Sequence, residues 1–589
     1  MRNLGAILVP EDFESLIIPI PRAKGEEYNI RLPMQKVLFI LPTACVGLAA
    51  ALHATAYLHG EARRHQPRFW TFFALTLAAM LGVVLSPDKL TFLLAWEAMG
   101  LASAGLVAFE NEDRDARKAT WIYLLACHAG ACALMLAGVL LNRPDAAWGA
   151  FLCAVVGFGL KIGFPPFHVW LPEAHPAAPA PASAVMSGAM IPLGFYGLWR
   201  FVLDPQAGFA LTPGMGWTVL LLGAAGALGG ILFALPQTNL KKLLAFSSVE
   251  NMGVIALGLG LALLAQDAPG DVAALAGAGA FVHVLNHAFL KGGLFLGAGS
   301  VLRQTGTLNQ DQLGGLMKRL PFTGTLFTLN ALGLAGLPPL NGFLGEFLIY
   351  AAAFRAVKSG APALVGAGFL VLAALALTGG LAAAAYCKAI GATFLGEPRS
   401  EAAAQAVETP RRMWIAQLAL FLLSFAMIPG TVHVAHVLTD GASTPLLVPC
   451  AALGGAVLVL VGALLLARRL SPRGTVKPSC PTWDCGYHAP TARMAYTATA
   501  FTQPLQDLFR PVLRARTHVI PFKGSQYDAS DAALVTETDD RALAGFWRPL
   551  FTFVARVFQR AHLLQNGSLH LYILLVLVAL LALLALAFA

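Results

Sequence analysis

The chain has 589 residues, of which 57% are hydrophobic and only 12% charged, with a formal net charge of +9. Soluble domains carry roughly 25% charged residues, and a mean hydropathy of +0.68 excludes one; the composition is that of an all-α polytopic membrane protein. The basic residues cluster in short loops between apolar runs, which is the pattern of membrane topology and argues against nucleic-acid binding.

The eight cysteines are scattered and form no C-x-x-C, so neither a disulfide scaffold nor a zinc or iron–sulfur site is expected. Residues 1–33 break their apolar stretches with acidic residues and prolines and read as an extracytoplasmic segment without a cleavable signal. A bilayer-spanning helix takes about 20 mainly apolar residues. By that measure about fourteen candidates follow: 34–58, 68–87, 88–109, 118–141, 149–171, 181–205, 213–235, 240–265, 273–302, 322–355, 363–394, 412–435, 446–467 and 570–589. If they alternate, Arg63, Arg64, Arg68, Arg114, Arg117, Lys118, Lys241, Lys242, Lys318, Arg319, Arg399, Arg411 and Arg412 all fall on one side. The other side has little more than Arg143, Arg200, Arg355 and Lys358, so the first set is assigned to the cytoplasm.

The fifth candidate is interrupted. Phe158-Gly-Leu-Lys161-Ile-Gly-Phe-Pro165-Pro166-Phe-His168 places a lysine just before two prolines, with His175 a little further on. Proline removes a backbone donor and clashes with the preceding turn, so a regular helix cannot pass. The tenth candidate has a second break, Gly336-Leu-Pro-Pro-Leu-Asn-Gly342, followed by Glu346. Five crossings separate the two, so they run in opposite directions, the sequence trace of an inverted-repeat transporter; two unrelated proline kinks would look the same. Residues 468–569 leave the membrane pattern. Within them, 541–563 mix Phe546, Trp547, Phe551, Phe553 and Phe558 with Arg541, Arg548, Arg556 and Arg560, which suits an interfacial helix bent at Pro549 or a face docked on another subunit.

Ionisable groups at membrane depth cost about 2.5–3.5 kcal/mol each and are the informative residues. Glu97 is centred in the third candidate, Lys161 and His168 flank the first break, and His283, His287 and Lys291 line one helix face at i, i+4 and i+8. With Glu250 and Glu346 they alternate acid, base and imidazole, as a proton relay requires. Each also has a plainer reading: Glu97 as interhelical glue, His168 and His175 satisfying loop backbone, Lys241 as a positive-inside anchor, and Glu250 as a counter-charge. Histidines at i, i+4 on one helix are poor haem ligands, and no phosphate loop or nucleophile triad occurs, so no metal or cofactor is expected in this chain.

The set Trp96-Glu97, Lys161…Phe167-His168-Val-Trp-Leu-Pro-Glu-Ala-His175, Ser247-Ser-Val-Glu250-Asn251, His283…His287-Ala-Phe-Leu-Lys291 and Leu337-Pro-Pro…Gly342-Phe-Leu-Gly-Glu346 resembles the antiporter-like, proton-pumping subunits of respiratory complex I and their relatives. The resemblance covers roughly residues 34–435. Thr482-Trp-Asp-Cys-Gly-Tyr487, with Arg493-Met and Gln503-Pro504, looks like the large membrane subunits of formate hydrogenlyase and hydrogenase-4 within that superfamily, the group 4 [NiFe] hydrogenase type. It implies an antiporter core over 34–435, further membrane helices at 436–467 and 570–589, and a cytoplasmic segment at 468–569, in a prokaryotic inner membrane. It also implies roles: Glu97 as charge-switching glutamate, Lys161 as the central pumping lysine, His283, His287 and Lys291 as a polar axis, and Glu346 as the exit-side group. The partners implied are other membrane subunits and a peripheral arm that holds the NiFe centre and iron–sulfur clusters; the transported ion is H⁺ or Na⁺.

Two departures from the family pattern stand out. Relatives begin with two further helices where this chain has residues 1–33. They also place a lysine after Met-Ser-Gly-x-Met-Ile, where this chain has Pro192, with no acidic, basic or imidazole side chain between Ser183 and Trp199. A water bridging Ser187 and the backbone freed by Pro192 could substitute; otherwise the relay is cut and the subunit is a non-pumping anchor. A subunit of a stand-alone cation/proton antiporter is the remaining alternative.

Overall fold

The computed structural model describes residues 16–21, 27–32, 34–60, 65–141, 143–203, 211–268, 270–470, 496–514, 516–520, 533–538 and 542–561, with a few isolated positions. The chain divides into two units, 1–538 and 539–589.

In the first unit the long helices are α1 (Met34–Tyr57), α2 (His65–Leu85), α3 (Lys89–Val107) and α4 (Arg114–Leu140), then the broken pair α5 (Ala147–Ile162) and α6 (Leu171–Ala177). The next crossing is itself segmented into α7 (Ala180–Val185), a π turn at Met186–Met190, and α8 (Leu193–Leu198). After it come α9 (Pro213–Ala234), α10 (Leu240–Leu264), α11 (Val272–Thr305), the second broken pair α12 (Pro321–Leu334) and α13 (Gly342–Lys358), α14 (Pro362–Phe394), α15 (Arg411–Leu438), α16 (Thr444–Leu470) and α17 (Ala498–Leu508). Twelve spans among the described residues are long and apolar enough to cross a bilayer, and α12 with α13 supplies the interrupted tenth candidate. Two short antiparallel hairpins stand outside the helices: β1 (Leu16–Pro21) with β2 (Glu27–Leu32), and β3 (Arg516–Ile520) with β4 (Ala533–Glu537).

The crossing Ala180–Val202 and helices α10 and α11 form the buried centre, while α4, α15 and α16 show most of their surface. Small residues set the closest approach. Gly223 and Gly226 of α9 face Gly253 of α10, and a Cβ at Gly230 would meet the Glu250 backbone while one at Gly253 would overlap Ala227. Backbone contact of this kind is how helices associate where there is no water to drive them together.

The first break repairs its own loose ends. Gly163, at φ +87°, closes α5 by donating to the Gly159 carbonyl at 2.8 Å. Trp170 Nε1, past the prolines, donates to the Leu160 carbonyl at 2.6 Å. A carbonyl that the helix end would leave unpaired is thereby satisfied, and Lys161 is held in the last turn, where the helix dipole favours a cation. At the second break Gly336, at φ +68°, lies under the Glu346 carboxylate; a Cβ there would stand 2.7 Å from Oε2.

The second unit contains α18 (Arg548–Ala561), which covers much of the expected aromatic–basic helix. Pro549 is accommodated by a π turn, Leu543–Trp547, in which Arg548 N–H donates to the Leu543 carbonyl. The Thr482–Tyr487 motif, Arg493 and most of the candidate 570–589 lie outside the described residues.

Candidate functional site

Lys161 is 4% exposed, and its ammonium donates to Tyr123 Oη and to Cys127 Sγ, each at 3.2 Å. These two residues sit one turn apart on α4, so one helix face builds the cradle. The rings of Tyr123 and Trp96 lie 5.1 and 5.8 Å from Nζ, within cation–π range. Tyr123 Oη lies 2.6 Å from Ser103 Oγ, which donates to the Met99 carbonyl at 2.6 Å. The hydrogens therefore order as Lys161 to Tyr123 to Ser103 to backbone. A cavity of about 10 Å³ beside Lys161, lined by Trp96, Cys127 and Trp170 among others, has room for about one water.

Glu97 does not touch Lys161. Its Oε2 pairs with His128 Nδ1 at 3.2 Å, on the outward side of α3 and α4, where the side chains are 30% and 54% exposed. Sequence reasoning missed His128, although an imidazole inside an apolar span is itself the signal. Tyr123 and Cys127 carried no comparable signal, because neither is ionised in an ordinary setting.

The second cluster lies between α10, α11 and α14. Lys291, fully buried, donates to the Leu244 carbonyl at 2.9 Å and to Ser247 Oγ, which also receives Tyr386 Oη at 3.2 Å. Glu250 accepts from Asn251 Nδ2 at 2.7 Å, and Asn251 Oδ1 lies 3.0 Å from His283 Nε2. Asn251 thus joins Glu250 to His283. His287, between His283 and Lys291, is fully buried with no hydrogen-bond partner for either ring nitrogen among the described residues. Gly345 brings α13 onto α11, since a Cβ there would stand 2.8 Å from His283 Cβ, and Glu346 follows directly. Asn286 ties the same helix to the second break by donating to the Asn341 carbonyl at 2.6 Å.

Other ionisable groups are placed apart. His168 is buried with its ring 6.1 Å from Phe246, and His175 is stacked on Phe295 at 4.8 Å inside the core, not beside loop backbone. Lys241, read from the sequence as a positive-inside anchor, is instead buried and donates to the Ala178 carbonyl at 2.7 Å, joining α10 to the connection between α6 and α7. Lys388, which the sequence reading passed over, closes the α9–α10 turn through the carbonyls of Leu235 and Gln237. A polar cavity of about 590 Å³ opens at this end, lined by Glu110, Asp113, Lys118, Glu173, Lys241 and Lys242 among others. Glu173 lies 3.9 Å from Lys118 and 3.8 Å from Lys242 across it. Among the described residues no three His, Cys, Asp or Glu side chains are grouped to hold a metal ion.

Residues 142–375 match the family described as NADH:quinone oxidoreductase/Mrp antiporter, transmembrane. Hydrogenase-4 component B of Escherichia coli is 32% identical, over 95% of this chain and 89% of its own length. Formate hydrogenlyase subunit 3 of Escherichia coli is 31% identical, over 76% of each chain. In fold, a chain of the membrane-bound sulfane sulfur reductase, an archaeal respiratory membrane complex, superposes with a TM-score of 0.70, covering 97% of this chain and 92% of the other at 23% identity.

Proposed function

This chain belongs to the family of antiporter-like membrane subunits that includes hydrogenase-4 component B, and we propose that it translocates protons, or Na⁺, across a prokaryotic inner membrane as part of a redox complex. One observation carries the reading. Lys161 and Lys291 are buried on neutral acceptors, with no carboxylate in ion-pair contact among the described residues. Interhelical glue would pair each lysine with an acid. A lysine held by hydroxyl, thiol and carbonyl groups can give up its proton without stranding a buried counter-charge.

In this reading Lys161 loads when Glu97 swings toward it and discharges when Glu97 is withdrawn, because a nearby carboxylate favours the ammonium. The Glu97–His128 pair is the withdrawn arrangement, with His128 as the resting partner. The proton then passes to the second cluster, Lys291, His287, His283 with Glu250, and leaves at Glu346; His168 stands on the uptake side. Residues 34–435 are the translocating core, 436–467 and 570–589 additional helices, and 468–569 a cytoplasmic docking segment, with 1–33 extracytoplasmic. The exposed Glu97–His128 pair is expensive against lipid, so a neighbouring membrane subunit is its expected cover. A hydrogenase-type peripheral arm would hold the NiFe centre and iron–sulfur clusters.

The test is the intact complex, purified with its partner subunits, reconstituted in proteoliposomes and driven by its redox arm while a trapped dye reports pH. Proton movement that tracks turnover supports the reading. Turnover without proton or Na⁺ movement makes the chain a membrane anchor.

A further inference from the structure

Position 192 is where the family resemblance leads one to expect a lysine between the two clusters, and the fold closes this gap in its own way. Pro192 has no N–H to give the preceding turn, and that turn widens: Ile191 N–H reaches back to the Met186 carbonyl at 3.0 Å. The wide turn carries Ser187. Inside a helix serine ordinarily bonds to a carbonyl of its own preceding turn. Ser187 instead lies 2.8 Å from the hydroxyl of Ser248 on α10, and both residues are fully buried.

Ser248 Oγ donates to the Leu244 carbonyl at 2.9 Å, the same oxygen that receives Lys291 Nζ at 2.9 Å. One carbonyl therefore joins the hydroxyl pair to the second buried lysine. Gly188 seats the same turn against α11, since a Cβ there would stand 2.6 Å from the Ala288 carbonyl. At its other end the turn finishes in Met190, whose sulfur lies 3.7 Å from the Tyr123 hydroxyl oxygen, and Tyr123 is the acceptor for Lys161. A single five-residue turn thus touches Tyr123, the acceptor for Lys161, at one end and Ser248, which shares a carbonyl acceptor with Lys291, at the other.

We propose that the Ser187–Ser248 hydroxyl pair is the proton link between Lys161 and Lys291 in this chain, with Met190 as the movable apolar stop between Tyr123 and Ser187. The proposal rests on the translocation reading above. When the flexible Met190 side chain turns aside, a water spans Tyr123 and Ser187. A proton arriving at Ser187 Oγ releases the hydroxyl proton of Ser187 to Ser248 Oγ. Ser248, by rotating its hydroxyl off the Leu244 carbonyl that it shares with Lys291, in turn gives its own proton to neutral Lys291 Nζ. Both serines end neutral, Lys291 gains one proton, and rotation of the two hydroxyls resets the pair. No titratable side chain at position 192 is needed.

The experiment uses the reconstituted complex with Ser187→Ala, Ser248→Ala, Ser248→Thr and the double variant Ser187→Ala/Pro192→Lys. Each alanine variant is expected to lower protons moved per turnover about a hundredfold, as for loss of a positioned proton-transfer group, with assembly and turnover retained. Ser248→Thr keeps the hydroxyl and should keep transport. Pro192→Lys should restore it in the Ser187→Ala background, since Pro192 has φ −59° and ψ −22°, which lysine adopts freely. Alanine variants that pump like wild type overturn the link while leaving translocation standing. A threonine variant that fails as alanine does, with no rescue by lysine, reduces the pair to helix packing and also overturns it. A wild-type complex that moves no protons brings down the translocation reading, and this inference with it.

Discussion

Replacing Tyr123 with phenylalanine removes one oxygen from the Lys161 cradle and little else. The ring stays in place, so the 5.1 Å cation–π contact and the Cys127 sulfur at 3.2 Å are kept. Ser103 retains its bond to the Met99 carbonyl. What is lost is one acceptor, at 3.2 Å, for a buried ammonium. A hydrogen bond to a charged group is worth about 1.5–3 kcal/mol, so the loaded state of Lys161 should lose roughly 2 kcal/mol, or about 30-fold in its population. If Lys161 loading lies on the transport path, proton flux per turnover in proteoliposomes should fall by a comparable factor, with the assembled complex intact in detergent. Flux within about twofold of wild type would refute the placement of Tyr123 as a functional acceptor, since among the described residues Tyr123 Oη is the oxygen hydrogen-bonded to Lys161 Nζ.

Trp170→Phe leaves the Leu160 carbonyl without its donor and should destabilise the first break by about 1–3 kcal/mol, read as a lower thermal midpoint of the solubilised complex. Gly253→Ala forces a methyl into the α9 backbone and should cost about 1–3 kcal/mol or more, seen as loss of assembled complex, whereas Gly229→Ala, with open space around it, should assemble normally. Glu346→Gln should leave assembly unchanged and abolish steady-state pumping; pumping at wild-type rate would remove Glu346 from the exit. At the start of α3, Asp88 accepts from the amide and hydroxyl of Thr91, and these bonds hold its carboxyl below the ordinary range. A depressed folded-state value means that its cap is fully present above about pH 4 and is lost as pH falls through the lower folded value. Asp88→Asn should therefore flatten the acid limb of thermal stability.

The architecture was legible wherever a single segment carries its own cause. The proline pairs mark both broken helices, and the i, i+4, i+8 spacing puts His283, His287 and Lys291 on one face without reference to any tertiary contact. Partners across helices were not legible. Nothing local says that Tyr123 and Cys127 face Lys161, that Ser187 meets Ser248, or that Glu97 turns to His128; those pairings depend on how glycine-lined helices approach one another. Lys241 misled because a lysine pair at a helix start is ordinarily a surface feature, and only the packing of α6 against α10 buries it. Pro192 was read as a gap because sequence shows the missing side chain and not the widened turn beside it.

The central claim is that Lys161 carries the transported proton. Lys161→Met keeps much of the side chain's length and removes its charge. In the reconstituted complex, driven by its own redox arm, it should leave assembly intact and abolish proton movement per turnover. Wild-type proton movement from the methionine variant would contradict the account.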